Sequence, residues 1–362
     1  MSPHLKRQQS HRPHHRPHDH AREVGLAALV AATMMLGIFF VGVVRDNLEL
    51  EHKDVVFGAT YSKKYAEFLG LDWRTAYLAM LDDLKVKRLR IPVYWDDVEP
   101  EPGVFNFSVV DWQLDEAERR GASVVLAVGR KLPRWPECYS PQWAKGLNES
   151  LVRTKILSMI ETAVRHFKKR SSIIAWQVEN EPFFAFGECP PPDREFLKHE
   201  ISVVRALDDR PVIITESGEL STWLNAASLT DILGISTYRV VWNRFIGYFY
   251  WPITPSVYRR RAESVSSLVD KVIITELQAE PWFGTATTSI SPLDDQLKLM
   301  NPERLAQNIS FARRVGFAEA YLWGVEWWYW LKQNGHPEMW EAGRSMLRSL
   351  NGGVQQDAQT KF

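Results

Sequence analysis

This sequence of 362 residues has no net charge, little cysteine and, in its body, no internal punctuation, and each lack excludes something. Lysine plus arginine equals aspartate plus glutamate at 44 each, and no basic stripe runs through the body, so the chain has no electrostatic reason to bind nucleic acid. From about Asp54 to Leu350 there is no linker, repeat or low-complexity tract, which argues against a string of small modules. Only two cysteines occur, Cys138 and Cys189, so at most one intramolecular disulfide can form; the alternative is two unrelated free thiols. No histidine falls in any predicted strand, because His166, His199 and His336 lie in helical or loop stretches. That counts against a metal centre and leaves no cofactor implied.

One local absence is of another kind. The run "VGLAALVAATMMLGIFFVGVV", Val24 to Val44, has no charged residue over 21 positions, and a helix of about 20 residues spans the hydrocarbon core of a bilayer. A membrane helix at 24–44 is the expectation; the alternatives are a buried core helix or the apolar part of a cleaved signal peptide. Residues 1–23 hold six of the ten histidines with Lys6, Arg7, Arg12, Arg16 and Arg22, and "HRPHHRPHDH" lacks zinc-ligand spacing, so this reads as a disordered tail. Basic residues before the span put that tail in the cytoplasm and everything after Arg45 outside. The domains expected are therefore a tail at 1–23, a signal-anchor helix at 24–44, a catalytic body at 45–350 acting as a monomer, and a C-terminal tail at 351–362.

The body alternates two patterns. Short β-branched runs begin at Val55, Val86, Ser123, Ile173, Val212, Asp231, Val272 and Ala320. Amphipathic stretches such as "TAYLAMLDDL", "VDWQLDEAERRG", "LVRTKILSMIETAVRHF" and "PERLAQNISFARRVG" separate them. Eight strands with helices between them over roughly 300 residues predict a (β/α)8 barrel, whose active face lies at the C-terminal strand ends. Those ends are acidic: Glu179 and Glu181 on the fourth strand, Glu216 and Glu219 on or after the fifth, Glu276 and Glu280 on or after the seventh, and Glu326 assigned to the eighth. A carboxylate cluster in an aromatic mouth suits acid/base work on a glycosidic bond, where a protonated carboxyl and a second carboxylate about 5–5.5 Å away give hydrolysis with retention. Glu181, against Pro182, Phe183 and Phe184, has the setting of the protonated partner. Strict strand alternation would separate Asn180 from Glu181, so the ladder is expected to break at Pro182.

The stretch "WQVENEP" resembles the fourth-strand signature of clan A glycoside hydrolases, and "LRIPVYW", "ITELQ" and "YLWG" resemble their second, seventh and eighth strands. In this order, across about residues 55–330, they are most similar to the cellulase family, glycoside hydrolase family 5. The resemblance implies Glu181 as acid/base and Glu276 as nucleophile. It also implies Arg90 and Tyr238 as hydrogen-bond partners of the nucleophile, Asn180 on the sugar 2-hydroxyl, and Trp323 as sugar platform. Two departures leave the substrate open: Ser236-Thr-Tyr238 stands where His-x-Tyr is common, and Leu-Gln follows the nucleophile in place of an aromatic and a glycine. Glu179 occupies a variable position of the signature and reads as a solvated or salt-bridged neighbour.

Fifteen tryptophans fit the same chemistry, because indoles stack on the C–H faces of sugars. The stretches "PRWPECYSPQW" and "VEWWYW" are assigned to mouth loops, and Trp95, Trp135, Trp282, Trp323 and Trp327 to the cleft. The expected function is a membrane-anchored retaining β-glycosidase acting on an extracytoplasmic glycan. A transglycosidase and a silent glycan-binding barrel are the alternatives. Cys138 and Cys189 lie just beyond the third and fourth strands, in loops adjacent in the predicted barrel, which permits a disulfide between them.

Overall fold

A computed structural model describes residues 54–243, 245–283 and 291–359, of which 351–359 as backbone only, together with Thr33 and Gly37. The chain divides into one unit over Met1–Glu49 and a second over Leu50–Phe362, and only the second is described further. The predicted tail at 1–23 and span at 24–44 lie outside the described residues, except that Thr33 and Gly37 are helical. Among the described residues no helix is long and apolar enough to cross a membrane.

The eight β-branched runs form eight strands: β1 Val56–Thr60, β2 Arg88–Pro92, β3 Ser123–Val128, β4 Ile173–Val178, β5 Val212–Ser217, β6 Ile232–Thr237, β7 Lys271–Gln278 and β8 Glu319–Trp323. All pair in parallel with their neighbours, and β8 closes onto β1 with Val56 opposite Glu319. Strands buried on both faces need side chains that pack on both, which explains runs such as "VVLAV" and "VII" where alternation is missing.

The helices lie where the amphipathic stretches do: Trp73–Asp82, Ser108–Arg119, Glu149–Phe167 and Pro302–Val315. Their starts have local causes. Asp72, Asn148 and Asn301 each accept a backbone N–H of the first turn, and Pro302 stands where a missing donor costs nothing. Gly316 closes the last of them at φ 78°, a left-handed conformation that favours glycine. Two boundaries differ from expectation. "VEWWYW" is not a loop but falls in the helix Val325–Gln333, which also takes Glu326 off β8. The last helix, Glu338–Gln359, continues past residue 350, where a tail was expected.

The lumen of the barrel changes character along its axis. One layer is apolar and buried, with Val125, Ala175, Ile213, Ile273 and Tyr321 in a single cluster. Two residues onward, on the same faces of the strands, come Gln177, Thr215 and Thr275, all buried. Gly234 makes room for them, since a Cβ there would sit 2.6 Å from the Thr275 methyl and 2.8 Å from that of Thr215. The polar layer is the floor of the mouth.

Candidate active site

Arg90, fully buried in the middle of β2, organises that floor. A buried guanidinium is tolerated only when its donors are matched. Nε donates to Gln177 Oε1 at 2.6 Å, Nη2 to Asn180 Oδ1 at 2.5 Å and Nη1 to Glu276 Oε1 at 2.9 Å. Tyr238 donates its hydroxyl to the other Glu276 oxygen at 3.1 Å. Thus both oxygens of Glu276 are held by donors. Arg90 and Thr215 also fix the amide of Asn180, whose oxygen accepts from both, so its NH2 is the end presented to a ligand.

Glu181 is held differently. Its backbone N–H donates to Thr215 Oγ1 at 2.7 Å and its backbone carbonyl accepts from Lys131 Nζ at 3.0 Å. Among the described residues the carboxyl accepts one bond, from Ser236 Oγ to Oε1 at 2.5 Å. Burial, then the negative charge of Glu276, pushes this carboxyl up to about 7, against the opposing effects of Ser236 and Lys131. Asn180 and Glu181 reach the mouth together because β4 ends at Val178 and the backbone then turns left-handed, with φ 58° at Glu179 and 43° at Glu181. The break therefore precedes Pro182, where it was expected. Non-glycine residues adopt this region at a cost that clusters at functional sites.

Glu179 is neither solvated nor salt-bridged. It is buried, and its carboxylate accepts the backbone N–H groups of Arg130 and Lys131 at 2.7 and 2.5 Å. Burial raises its carboxyl above the ordinary range, while a bond to the buried Glu200 carboxyl opposes that shift. It thereby fastens the loop after β3 to the end of β4. Cys138 and Cys189 are joined, with Cα atoms 5.2 Å apart, and tie the same two loops further out.

Behind Tyr238 lies a second buried carboxyl, Glu219, which accepts from Tyr258 Oη at 2.6 Å and from the Tyr238 N–H at 3.1 Å. Burial pushes it up to about 7. Gln278, two residues past Glu276, accepts the N–H groups of Arg239 and Val240 at 2.8 and 2.9 Å. The Gln of the Leu-Gln after Glu276 therefore has a structural role: it anchors the segment just past β6 that follows Tyr238 and leads into the hairpin Val240–Asn243/Gly247–Tyr250.

The tryptophan assignments divide. Trp95 and Trp327 are fully buried, their indole N–H groups donating to Glu99 and Gln296, so neither offers a face to a sugar. Both were placed in the cleft because aromatic residues near strand ends look alike in sequence whether they point to the mouth or behind it. Trp323 is only 6% exposed, and the Arg134 guanidinium lies 4.0 Å from its ring centroid. Trp135 is 61% exposed on the loop after β3, and Trp282, after β7, is half-buried.

Several residues that bear on the site escaped the sequence reading: Gln177, Thr215, Lys131, Arg134 and, in its bond to Glu181, Ser236. Only Ser236 left a signal, as the departure from His-x-Tyr. Among the described residues no group of three or more histidine, cysteine or acidic side chains is arranged to hold a metal ion.

No protein-family model matches this sequence, and no curated relative does. Solved structures do. Native xylanase 10B from Thermotoga maritima is similar at 16% identity and a TM-score of 0.54, over 84% of this chain and 97% of that one. The exo-beta-1,4-mannosidase Op5Man5 from Opitutaceae bacterium strain TAV5 has 16% identity and a TM-score of 0.52, over 84% and 60%. GH5_18 from Streptomyces cattleya, in complex with GlcNAc, has 14% identity and a TM-score of 0.51, over 76% and 71%. The likeness is one of fold: the closed eight-stranded barrel is shared with these structures.

Proposed function

We propose that this chain is a retaining glycoside hydrolase that cleaves β-glycosidic bonds by double displacement. The observation that carries the reading is the opposite treatment of two buried glutamates in one mouth. Glu276, with a donor on each oxygen, is the nucleophile that attacks the anomeric carbon and expels the leaving alcohol. Glu181, its carboxyl pushed up to about 7, gives its proton to the departing oxygen and then takes one from the water that opens the glycosyl-enzyme. The Asn180 NH2 is placed to donate to the sugar 2-hydroxyl. Similarity of fold to a xylanase and a mannosidase supports the reaction class and leaves the sugar open. Stereochemistry tests the mechanism. Proton NMR of a turning-over aryl β-glycoside should show the β-anomer of the free sugar first, and first appearance of the α-anomer would overturn it.

The body acts outside the cytoplasm on an extracytoplasmic glycan, held by a membrane helix at 24–44. The support is the uncharged run of 21 residues with its basic N-terminal flank, together with a disulfide, which persists in oxidising compartments. Protease added to intact cells should remove the body and spare the histidine-rich tail. A soluble mature protein beginning after residue 44 would replace the anchor with a cleaved signal.

A further inference from the structure

In a ring of eight strands, β3 and β7 face each other across the mouth, with β1, β2 and β8 on one side and β4 to β6 on the other. A side chain of the loop after β3 spans this opening. Arg134, on the loop after β3, reaches across to ion-pair with Glu280 after β7 and with Glu326 after β8. Its guanidinium lies between two rings, 3.7 Å from the centroid of Tyr65 and 4.0 Å from that of Trp323.

The bridge closes on itself. Glu326 accepts from Arg134 Nη2 at 3.2 Å and from the Ser62 N–H at 2.6 Å. Ser62 Oγ and Tyr94 Oη are 2.6 Å apart, and Tyr94 donates to the Pro133 carbonyl at 2.9 Å, which returns the circuit to the residue before Arg134. The segments that follow β1, β2, β3 and β8 thus join in one hydrogen-bonded ring. Ser62 is fully buried, Tyr94 and Glu326 are buried, and Arg134, Glu280 and Trp323 are each 6–7% exposed. Arg134 Nε and Glu280 Oε2 are both buried. The loop bearing Arg134 is itself held by the Tyr139 hydroxyl on the Arg134 carbonyl at 2.9 Å and by the neighbouring disulfide.

This wall lies behind the nucleophile. The Tyr238 hydroxyl donates to Glu276, and burial, then the negative charges of Glu276 and Glu280, push it up while Arg134 opposes them. The acid sits on the other side, at the end of β4, bonded to Ser236 of β6. An acid must touch the glycosidic oxygen it protonates, so the leaving chain departs over β4 to β6. The glycone must then fit between that oxygen and the wall.

From this, and resting on the glycosidase reading, we propose that the enzyme is exo-acting. The Arg134–Glu280–Glu326 wall admits one sugar beyond the scissile bond, so the substrate is the non-reducing terminal residue of a β-linked glycan. Arg134 is the specificity-determining residue, and Trp323 serves as its stacking partner and not as a platform for a further sugar.

The test compares aryl β-glycosides of glucose, mannose, galactose, xylose and N-acetylglucosamine with the corresponding aryl β-disaccharides, using the full chain. The expected result is direct release of the aryl group from one or more monoglycosides. From the matching disaccharide, the terminal sugar should appear first and the aryl group only after a lag, with direct release slower by roughly 100-fold in kcat/KM. Arg134→Ala should narrow that ratio by about tenfold or more, by opening space for a second sugar. Wild-type enzyme that releases an intact disaccharide without a lag overturns the inference and leaves the glycosidase reading standing, whether or not the variant folds. Absence of turnover on every substrate removes the glycosidase reading and this inference with it.

Discussion

The ends of β4 and β7 each deliver one buried glutamate into the same mouth, and they treat it in opposite ways. At β7 the chain stays in the ladder to Gln278, and Glu276 meets a guanidinium on one oxygen and a phenol on the other. At β4 the ladder stops before the glutamate, the backbone turns left-handed, and Glu181 receives one hydroxyl while its backbone, not its carboxyl, takes the lysine. Charge is matched at one end and left nearly unmatched at the other. Environment, not residue type, therefore divides the labour: the matched carboxylate suits attack on carbon, and the poorly matched carboxyl suits keeping a proton near neutral pH.

The sharpest way to break this contrast is to remove each glutamate in turn. Glu276→Ala should lower kcat on every glycoside by about 10⁴-fold or more. Glu181→Ala should lower it as severely on substrates with poor leaving groups, but should largely spare the first step on an aryl glycoside whose leaving group needs no protonation. In that variant azide should speed turnover by taking the place of the activated water. Steady-state kinetics on a leaving-group series decides. Equal, modest losses from both changes would erase the distinction between the two strand ends.

The next largest effect concerns what pins the β4 side. The disulfide closes a loop of 51 positions between the loop carrying Arg134 and the loop following Glu181, and no such link reaches β7. Replacing both cysteines by serine should cost about 3–4 kcal/mol in the chain-entropy description, read by denaturant unfolding. The loss in activity should fall on substrates that need Glu181, because the position of its loop sets the acid's geometry. A uniform loss across the leaving-group series would show that the bridge supports the barrel as a whole.

How much of this could be read from the sequence follows from the range of each interaction. The eight strands were legible because each is buried on both faces and so carries a local signature, a short run of β-branched residues. The end of β4 stood out because Asn180, Glu181 and Pro182 are contiguous, and the bonds that the resemblance implied from Arg90 and Tyr238 to Glu276 are present, one on each oxygen. What failed depended on direction or on distance in the chain. Trp327 belongs to a helix that starts directly after Gly324, so its ring packs into the core and donates to Gln296. Trp95 likewise begins a short helix, Trp95–Val98, and turns inward. Glu179 reads as a solvated or salt-bridged neighbour until the left-handed turn swings its carboxylate under the β3 loop. The wall was invisible because Arg134, Glu280 and Glu326 are 146 and 192 positions apart in their pairings and meet only when the ring closes.

The smallest expected effect is the most specific to the β4 end. Ser236 stands where histidine is common in the family that the motifs resemble, and among the described residues its hydroxyl is the one donor on the Glu181 carboxyl. That bond favours the carboxylate, so it holds the proton affinity down against burial and against the charge of Glu276. The sign follows directly. The acid form of Glu181 is required, so kcat/KM for substrates with poor leaving groups should be level below the carboxyl's pKa and fall as pH rises through about 7. Ser236→Ala removes the lowering influence, so the fall should move to higher pH, by roughly half a unit to one unit, equivalent to about 0.7–1.4 kcal/mol. The same variant should lower kcat at pH 6, since the carboxyl loses the bond that orients it. Ser236→Thr, which keeps the hydroxyl, should restore the wild-type profile. On aryl glycosides that need no protonation, the alkaline limb of the first step should not shift. A limb that stays in place in Ser236→Ala, in an enzyme that still turns over, would mean that the hydroxyl positions the chain without tuning the acid. The contrast between β4 and β7 would then rest on burial alone.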